Sequence, residues 1–329
     1  MGFGSYILKK VSQLIVVLFI GIIISFLIFR LLPGDPTASL LDPRLDPEAR
    51  AEIIRRFGLD KPLYEQLLAY MANLLRGDLG VSFSFTGMGV VEVIAGPRLI
   101  NTLILMSSGL AISALLGTLL GILAGWRSGG LLDRAVTGLL YMAFSAPVFW
   151  VALLIQFYLG YTWNIIPISG TSSYIGIETS FVTYALDYLW HMIGPLITLA
   201  VFFIPSYYIY VRNVVASIKR EDFVVTLKAI GLRERAILVK HIMRHVAIHT
   251  TTITSNQSPL LVTGAVFTET VFGWNGIGRL LYDSILRADY PVLQGIFLLT
   301  ILVVVIANLV ADIAYYFIDP RIKRGWEGG

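Results

Sequence analysis

The sequence predicts an all-α polytopic membrane protein: six transmembrane helices, N- and C-termini cytoplasmic, and a small external helical subdomain between the first and second spans. Three observations carry this expectation. Of 329 residues, 56% are hydrophobic and only 14% are charged, against about 25% charged in a soluble domain. Mean hydropathy is +0.77. The apolar residues also gather into six segments of roughly 20 residues each, the length that crosses a hydrocarbon core as a helix. These segments are approximately 11–29, 101–125, 136–160, 189–211, 246–268 and 292–317.

The first region, 1–30, is a short tail and the first span. No charge interrupts Val11 to Phe29, and Lys9 and Lys10 precede it. A cleavable signal peptide has an apolar core of only about 7–15 residues, so the longer run reads as an uncleaved span. Region 31–100 reads as the external subdomain, built on two amphipathic helices. Asp46, Pro47 and Glu48 open one and Gly58 closes it; the other follows Pro62 and stops at Gly77. Contact with an external partner and a plain solvated lid both fit this pattern. Region 101–318 holds the other five spans and a basic cytoplasmic loop, 213–245. Residues 319–329 form a cytoplasmic tail.

Lysine and arginine set the orientation, because short cytoplasmic loops carry the excess. With the N-terminus inside, the inner segments hold Lys9 and Lys10, then Arg127 and Arg134. They also hold eight basic residues between Arg212 and Arg244, then Arg321, Lys323 and Arg324. Outer loop 161–188 has none, and outer loop 269–291 has only Arg279 and Arg287.

Several chemistries lack their residues. There is no cysteine, hence no disulfide and no thiolate ligand. No G-x-x-x-x-G-K-[ST] phosphate loop occurs, and "GWNGIGR" from Gly273 to Arg279 reads as a turn cluster. No nucleophile–base pair stands out, so the chain does not read as an enzyme by itself. His241, His245 and His249 share a helical face, but Lys240 and Arg244 among them would repel a cation, so no metal site is assigned.

The basic stretch "TLKAIGLRERAILVKHIMRH", Thr226 to His245, reads as two helices around a glycine. Phe223, Leu227 and Ile230 recur as one apolar stripe. Gly231 supplies a left-handed stop. A second helix starts near Arg233 and continues into the fifth span, with Val239, Met243 and Val246 repeating the spacing. Contact with anionic lipid would account for the charge but not for the hinge. Nucleic acid is disfavoured, since the stretch is short, tethered and poor in aromatics. An exposed apolar stripe on a knob asks for a groove in a cytoplasmic partner.

Here the chain resembles the permease subunits of ABC importers, in the binding-protein-dependent class for dipeptides, oligopeptides and nickel. "EDFVVTLKAIGLRERAILVKHIMRHVAI" is similar to their EAA-type coupling loop. "RLLPGDP" (Arg30 to Pro36), "GLDKPLYEQ", "GDLGVSF", "SAPVFW", "IIPISG", "ETVFGWNGIG", "ADYPVLQG" and the tail "DPRIK" extend the resemblance over nearly the whole chain. Four positions depart from the pattern. Thr226 and Leu227 stand for the alanine pair, Arg233 for a serine, His249 for a proline, and Asn275 for the proline of a "PGLG" turn. The resemblance implies a heterodimer with a second homologous permease subunit in the prokaryotic plasma (inner) membrane. It also implies two cytoplasmic ATP-binding subunits and an external solute-binding protein. No cofactor would be bound by this chain; ATP and magnesium would sit on the partners. ATPase coupling would fall to Glu221, Asp222, Phe223, Thr226, Leu227, Ala229, Gly231, Leu232 and Arg235, driving alternating access.

Polar residues within a span face a cavity or another helix. The fifth segment holds "HTTTITSNQS", and Thr251, Thr254, Ser255 and Ser258 share one face with Asn256 beside it. These five are the expected pathway residues, with interhelical hydrogen bonding as the other reading of each. Asn308 and Asp312 pair at i, i+4, and Asp312 can be solvated or paired with a base. Gln156 reads as interhelical glue, and Pro147, Pro195, Pro205 and Pro259 as kinks. The expected cargo is short peptides. Oligosaccharides or nickel in the same machine are the alternatives. An ion-coupled secondary transporter would show repeated halves and charged mid-membrane relays, and neither is visible.

Overall fold

The computed structural model of the chain describes residues 3–31, 61–85, 87–174, 179–257, 260 and 265–318. The helix expected over 46–58, most of "RLLPGDP", Ser258, Pro259 and the tail 319–329 lie outside these residues. The described residues form helices and no strand. The helices are α1 (Phe3–Leu31), α2 (Leu63–Leu75), α3 (Val90–Ala95), α4 (Pro97–Trp126), α5 (Leu131–Ser145), α6 (Val148–Ile155) and α7 (Phe181–Ile218). They continue as α8 (Asp222–Ala229), α9 (Glu234–Ile237), α10 (Met243–Asn256), α11 (Val266–Val271), α12 (Ile277–Leu286) and α13 (Tyr290–Ile318).

Four stretches are long and apolar enough to cross a membrane: Lys10–Arg30, Pro97–Trp126, Phe181–Ile218 and Tyr290–Ile313. The expected single span 136–160 differs. It is two helices, α5 and α6, bent by 101°. The cause is Pro147. It carries no amide hydrogen and forces the preceding residue out of the helical region; Ala146 has φ −80° and ψ 136°. A wider π turn, Gln156–Thr162, then extends α6. Counting the bent pair as one span gives five. Of the expected segment 246–268, α10 covers the first part and stops at Asn256. The helix expected after Pro62 is α2, closed by Gly77 at φ +77°.

Two helix pairs set the frame. The first is α1 with α13, running antiparallel. Lys10 meets Asp312 at 3.0 Å at one end, Gly21 faces Ile301 in the middle, and the Phe29 and Phe297 rings meet at 6.2 Å at the other. The second pair, α4 with α7, runs parallel and is the most extensive helix contact. Its seam is a glycine row. A Cβ on Gly117 would lie 2.6 Å from Tyr207 Cβ and 2.8 Å from the Ile204 carbonyl. A Cβ on Gly121 would lie 2.9 Å from Val211 Cβ, and one on Gly125 would lie 2.6 Å from the Arg212 carbonyl. Apolar burial drives no association between helices in hydrocarbon, so backbones that approach this closely supply it through van der Waals contact.

Arg212 of α7 also grips Asp133 of α5 with two bonds, 2.6 Å from Nε and 2.7 Å from an Nη. The Gly129 amide and the Thr137 hydroxyl complete that carboxylate. Gln156 binds the carbonyls of Ile168 and Val271, the bridging role expected for it.

The seam predicts that Gly121→Val pushes α4 off α7. Overpacking of this kind costs about 1–3 kcal/mol, so the unfolding temperature of the detergent-solubilised protein drops. Gly138→Val, where nothing lies within 4 Å, leaves it nearly unchanged.

Candidate functional site

The basic stretch folds as the sequence predicts in its hinge. Gly231 takes φ +86°. Its amide donates to the Lys228 carbonyl at 3.0 Å, and the Leu232 amide reaches back to the Leu227 carbonyl at 3.1 Å. This double closure stops a helix at a left-handed residue, and Leu227 and Leu232 pack into the same apolar cluster. Arg233 then precedes α9 with no side-chain cap. A π turn, Leu238–Ile242, joins α9 to α10.

The expected apolar stripe splits. The inward residues are Val224, Ile237, Ile242 and Val246, buried against Trp126, Val211 and Val215. Leu227 is half-buried on that face. Phe223 and Ile230 remain outside, 41% and 66% exposed, with Val239 and Met243. Glu221, Asp222, Thr226, Ala229, Gly231 and Arg235 are exposed around them, and Leu232 is half-buried. The hairpin is therefore a knob with an apolar tip and a separate apolar root.

Sequence reasoning missed the anchor of that root. Trp126, the last residue of α4, donates from its indole Nε1 to Glu234 at 2.9 Å. Lys228 and Lys219 sit over its ring at 4.8 and 5.5 Å, and Lys219 donates to its carbonyl at 2.5 Å. The Trp126 hydrogen bond, helped by both lysines, holds the Glu234 carboxyl below its usual range. The Gly117–Gly121–Gly125 row was the readable signal that α4 reaches this place.

Between α4, α10 and α13 lies a cleft of about 560 Å³ whose walls are mainly apolar, Leu110, Val303, Ile306 and Val310 among them, with Thr251, Thr254 and Ser255 along one side. Thr254 shares a hydrogen bond with the Tyr207 hydroxyl at 3.0 Å, and Ser255 donates to Asn308 at 3.1 Å. Asn256 is exposed at the end of α10 and does not line the cleft. Among the described residues, no three histidine or carboxylate side chains gather where a metal ion could be held.

Beyond the cleft, at the end of the fold away from the hairpin, the "GWNGIG" turn closes over Glu269, which is fully buried. Its carboxylate accepts from the Thr102 hydroxyl at 2.7 Å and from the Arg279 amide at 3.0 Å. Thr102 accepts in turn from the Ile277 amide at 2.7 Å. Together they satisfy the free amides that open α12. Gly276 is obligatory, since a Cβ there would fall 2.3 Å from the Glu269 carboxylate. Nearby, Asp289 holds the "GDLGVSF" loop: Ser82 Oγ donates at 2.5 Å and the Ser84 amide at 2.9 Å. Two motifs separated by some two hundred positions are one local structure.

Known proteins match this chain along its length. The family model described as "Binding-protein-dependent transport system inner membrane component" matches residues 117–324, and the model for the N-terminal part of such membrane components matches residues 4–88. The chain is 31% identical to the oligopeptide transport system permease protein AppB of Bacillus subtilis. It is 31% identical to the dipeptide transport system permease protein DppB of Escherichia coli K12. It is 34% identical to the di/tripeptide transport system permease protein DppB of Pseudomonas aeruginosa. Each alignment covers 97% of this chain and 99% of the relative.

Burial raises the Glu269 carboxyl to about 7, against the pull of Thr102 and the Arg279 and Gly278 amides. The unfolded value is about 4.3, so the folded state holds its proton longer. Stability is present below the unfolded value and is lost as pH rises through the folded one. The unfolding temperature therefore falls between about pH 4 and pH 7, and Glu269→Gln flattens that slope. Arg233→Ser supplies the missing cap of α9, worth about 1 kcal/mol. It slows hydrogen exchange at the Arg235 and Ala236 amides.

Proposed function

The chain belongs to the family of binding-protein-dependent transport system inner membrane components, and from that premise we propose that it is the transmembrane permease subunit of an ATP-driven importer of short peptides. The observation that carries this reading is the knob at Phe223–Ile230, with an exposed apolar tip and a root clamped to the ends of α4 and α7. A tip left uncovered by the described residues suits a cleft on an ATP-binding partner. A clamped root passes that partner's movement into two long helices.

In this reading the knob faces the cytoplasm and the chain crosses the inner membrane six times, α10 with the residues after it making the fifth crossing. A second permease subunit completes the pathway, two ATP-binding subunits engage the two knobs, and an external solute-binding protein delivers the peptide. ATP hydrolysis happens on the partners, and this chain alternates access. Thr251, Thr254 and Ser255 offer neutral hydroxyls to the cleft, which suits peptides of varied side-chain charge. The relatives named for oligopeptides, dipeptides and tripeptides support the cargo class. Oligosaccharide, nickel and ion-coupled transport are not favoured.

The test is reconstitution of the full complex with its binding protein. Peptide should stimulate ATP hydrolysis and accumulate in the vesicles. Gly231→Val places a branched side chain at a left-handed residue, a strain of about 1–2 kcal/mol. Uptake should then fall about tenfold while ATP hydrolysis continues. Unchanged coupled uptake counts against the hinge, and uptake by this chain without any ATPase defeats the proposal.

A further inference from the structure

At the Arg30 end of the fold, two cavities meet where α1 leaves one candidate span and α13 enters another. The first is a pocket of about 230 Å³ between the end of α1, helix α2, the Asp78–Phe83 loop and the start of α13. Its wall sets two cations, Arg30 and Lys61, against one acid, with the Tyr70 hydroxyl and three side-chain amides between them. The Arg30 guanidinium is held over the Phe26 ring at 5.6 Å and has no carboxylate partner among the described residues. Lys61 adds a second cation. The Tyr70 hydroxyl and the Gln294 amide nitrogen are buried beside each other and have no partner of full hydrogen-bond geometry. Burial pushes the Tyr70 hydroxyl up to about 12, so it stays a donor at neutral pH. Asp78 is the one acid in the wall, and one of its oxygens already accepts the Gly80 amide at 2.8 Å.

Buried donors short of a full hydrogen bond are costly, and here two of them lie beside two cations in one pocket. What they fit is an oxyanion. The second cavity indicates which kind. An apolar groove of about 380 Å³ shares Phe29 and Tyr290 with the pocket and runs along α13 past Leu293, Ile296 and Phe297 to Thr300. A cationic pocket at the end of a span, opening into an apolar groove along it, has the polarity profile of a phospholipid: charged head, apolar tail.

We propose that the pocket and groove together bind one anionic phospholipid, its phosphate among Arg30, Lys61 and Tyr70 and an acyl chain along Phe29, Leu293 and Phe297. The site pins α2 to the α1–α13 pair. It lies apart from both the hairpin and the cleft between α4, α10 and α13, and its occupancy does not depend on what the protein transports.

The test is native mass spectrometry of the assembled complex in nanodiscs of phosphatidylglycerol and phosphatidylcholine. Wild type should retain phosphatidylglycerol on delipidation. Arg30→Gln should lower that retention about tenfold, the size of a lost charge-assisted hydrogen bond. Tyr70→Phe, which keeps the ring packed 5.7 Å from Phe26, should lower it about threefold. If Arg30→Gln fails to assemble, Tyr70→Phe decides. Retention unchanged in the assembled variants overturns the proposal, as does equal retention of phosphatidylcholine. Displacement of the lipid by millimolar inorganic phosphate would show a simple anion pocket and overturn the lipid assignment as well.

Discussion

Everything in this molecule hangs on the seam between α4 and α7. In hydrocarbon, leucine gains nothing by leaving lipid for protein, so helices associate through close packing and a few polar bonds. Gly117, Gly121 and Gly125 bring the α4 backbone within touching distance of Tyr207, Val211 and the Arg212 carbonyl. Because the two helices run parallel, their N-terminal ends share one side of the fold and their C-terminal ends the other. One end of the pair therefore offers Asn101, Thr102 and Tyr188 to the glycine turn, and the other offers Trp126 and Lys219 to the hairpin.

The consequences reach both ends. At the hairpin, Trp126 ties Glu234 to a helix that is not its chain neighbour, so the knob is held by α4 as well as by α7 and α10. A push on the exposed tip would move a braced pair and not one flexible connection. At the far end, Thr102 and Asn101 of α4 bind Glu269, Trp274 and Asn275 of the turn. The same α4 thus joins the proposed docking knob to the structure beyond the cleft. In the proposed mechanism that continuity would carry movement from the knob to the far end of the bundle. It needs no relay of charges within the bundle, only two helices that cannot slide freely past each other.

Much of this was legible in the sequence, and the rest was hidden for identifiable reasons. Hydropathy finds long apolar helices, and a glycine after a short amphipathic run finds the left-handed stop at Gly231. Arg233 as a poor cap, Asp312 with a basic partner and Gln156 as a bridge all follow from local chemistry. Pro147 was readable as a kink, but its 101° bend was not, because the angle depends on where α6 then packs. The inward face of α8 was also undetermined. Phe223 and Val224 are both apolar, and over eight residues periodicity cannot choose between them; Trp126 and α7 choose Val224. Glu269 looked like a loop residue because its partner Thr102 lies 167 positions away. Buried capping of α12 across that distance has no local signature.

In the proposed complex the Phe223–Ile230 tip seats in an ATP-binding partner. The chain has no cysteine of its own, which makes the direct measurement clean. A single cysteine replaces Ile230 in the assembled complex, and cysteines are scanned along the surface of the partner ATPase. A disulfide formed in high yield at one cleft, its yield changed by ATP, is the predicted result. Cross-linking at no ATPase position, in a complex that still transports, would contradict the claim.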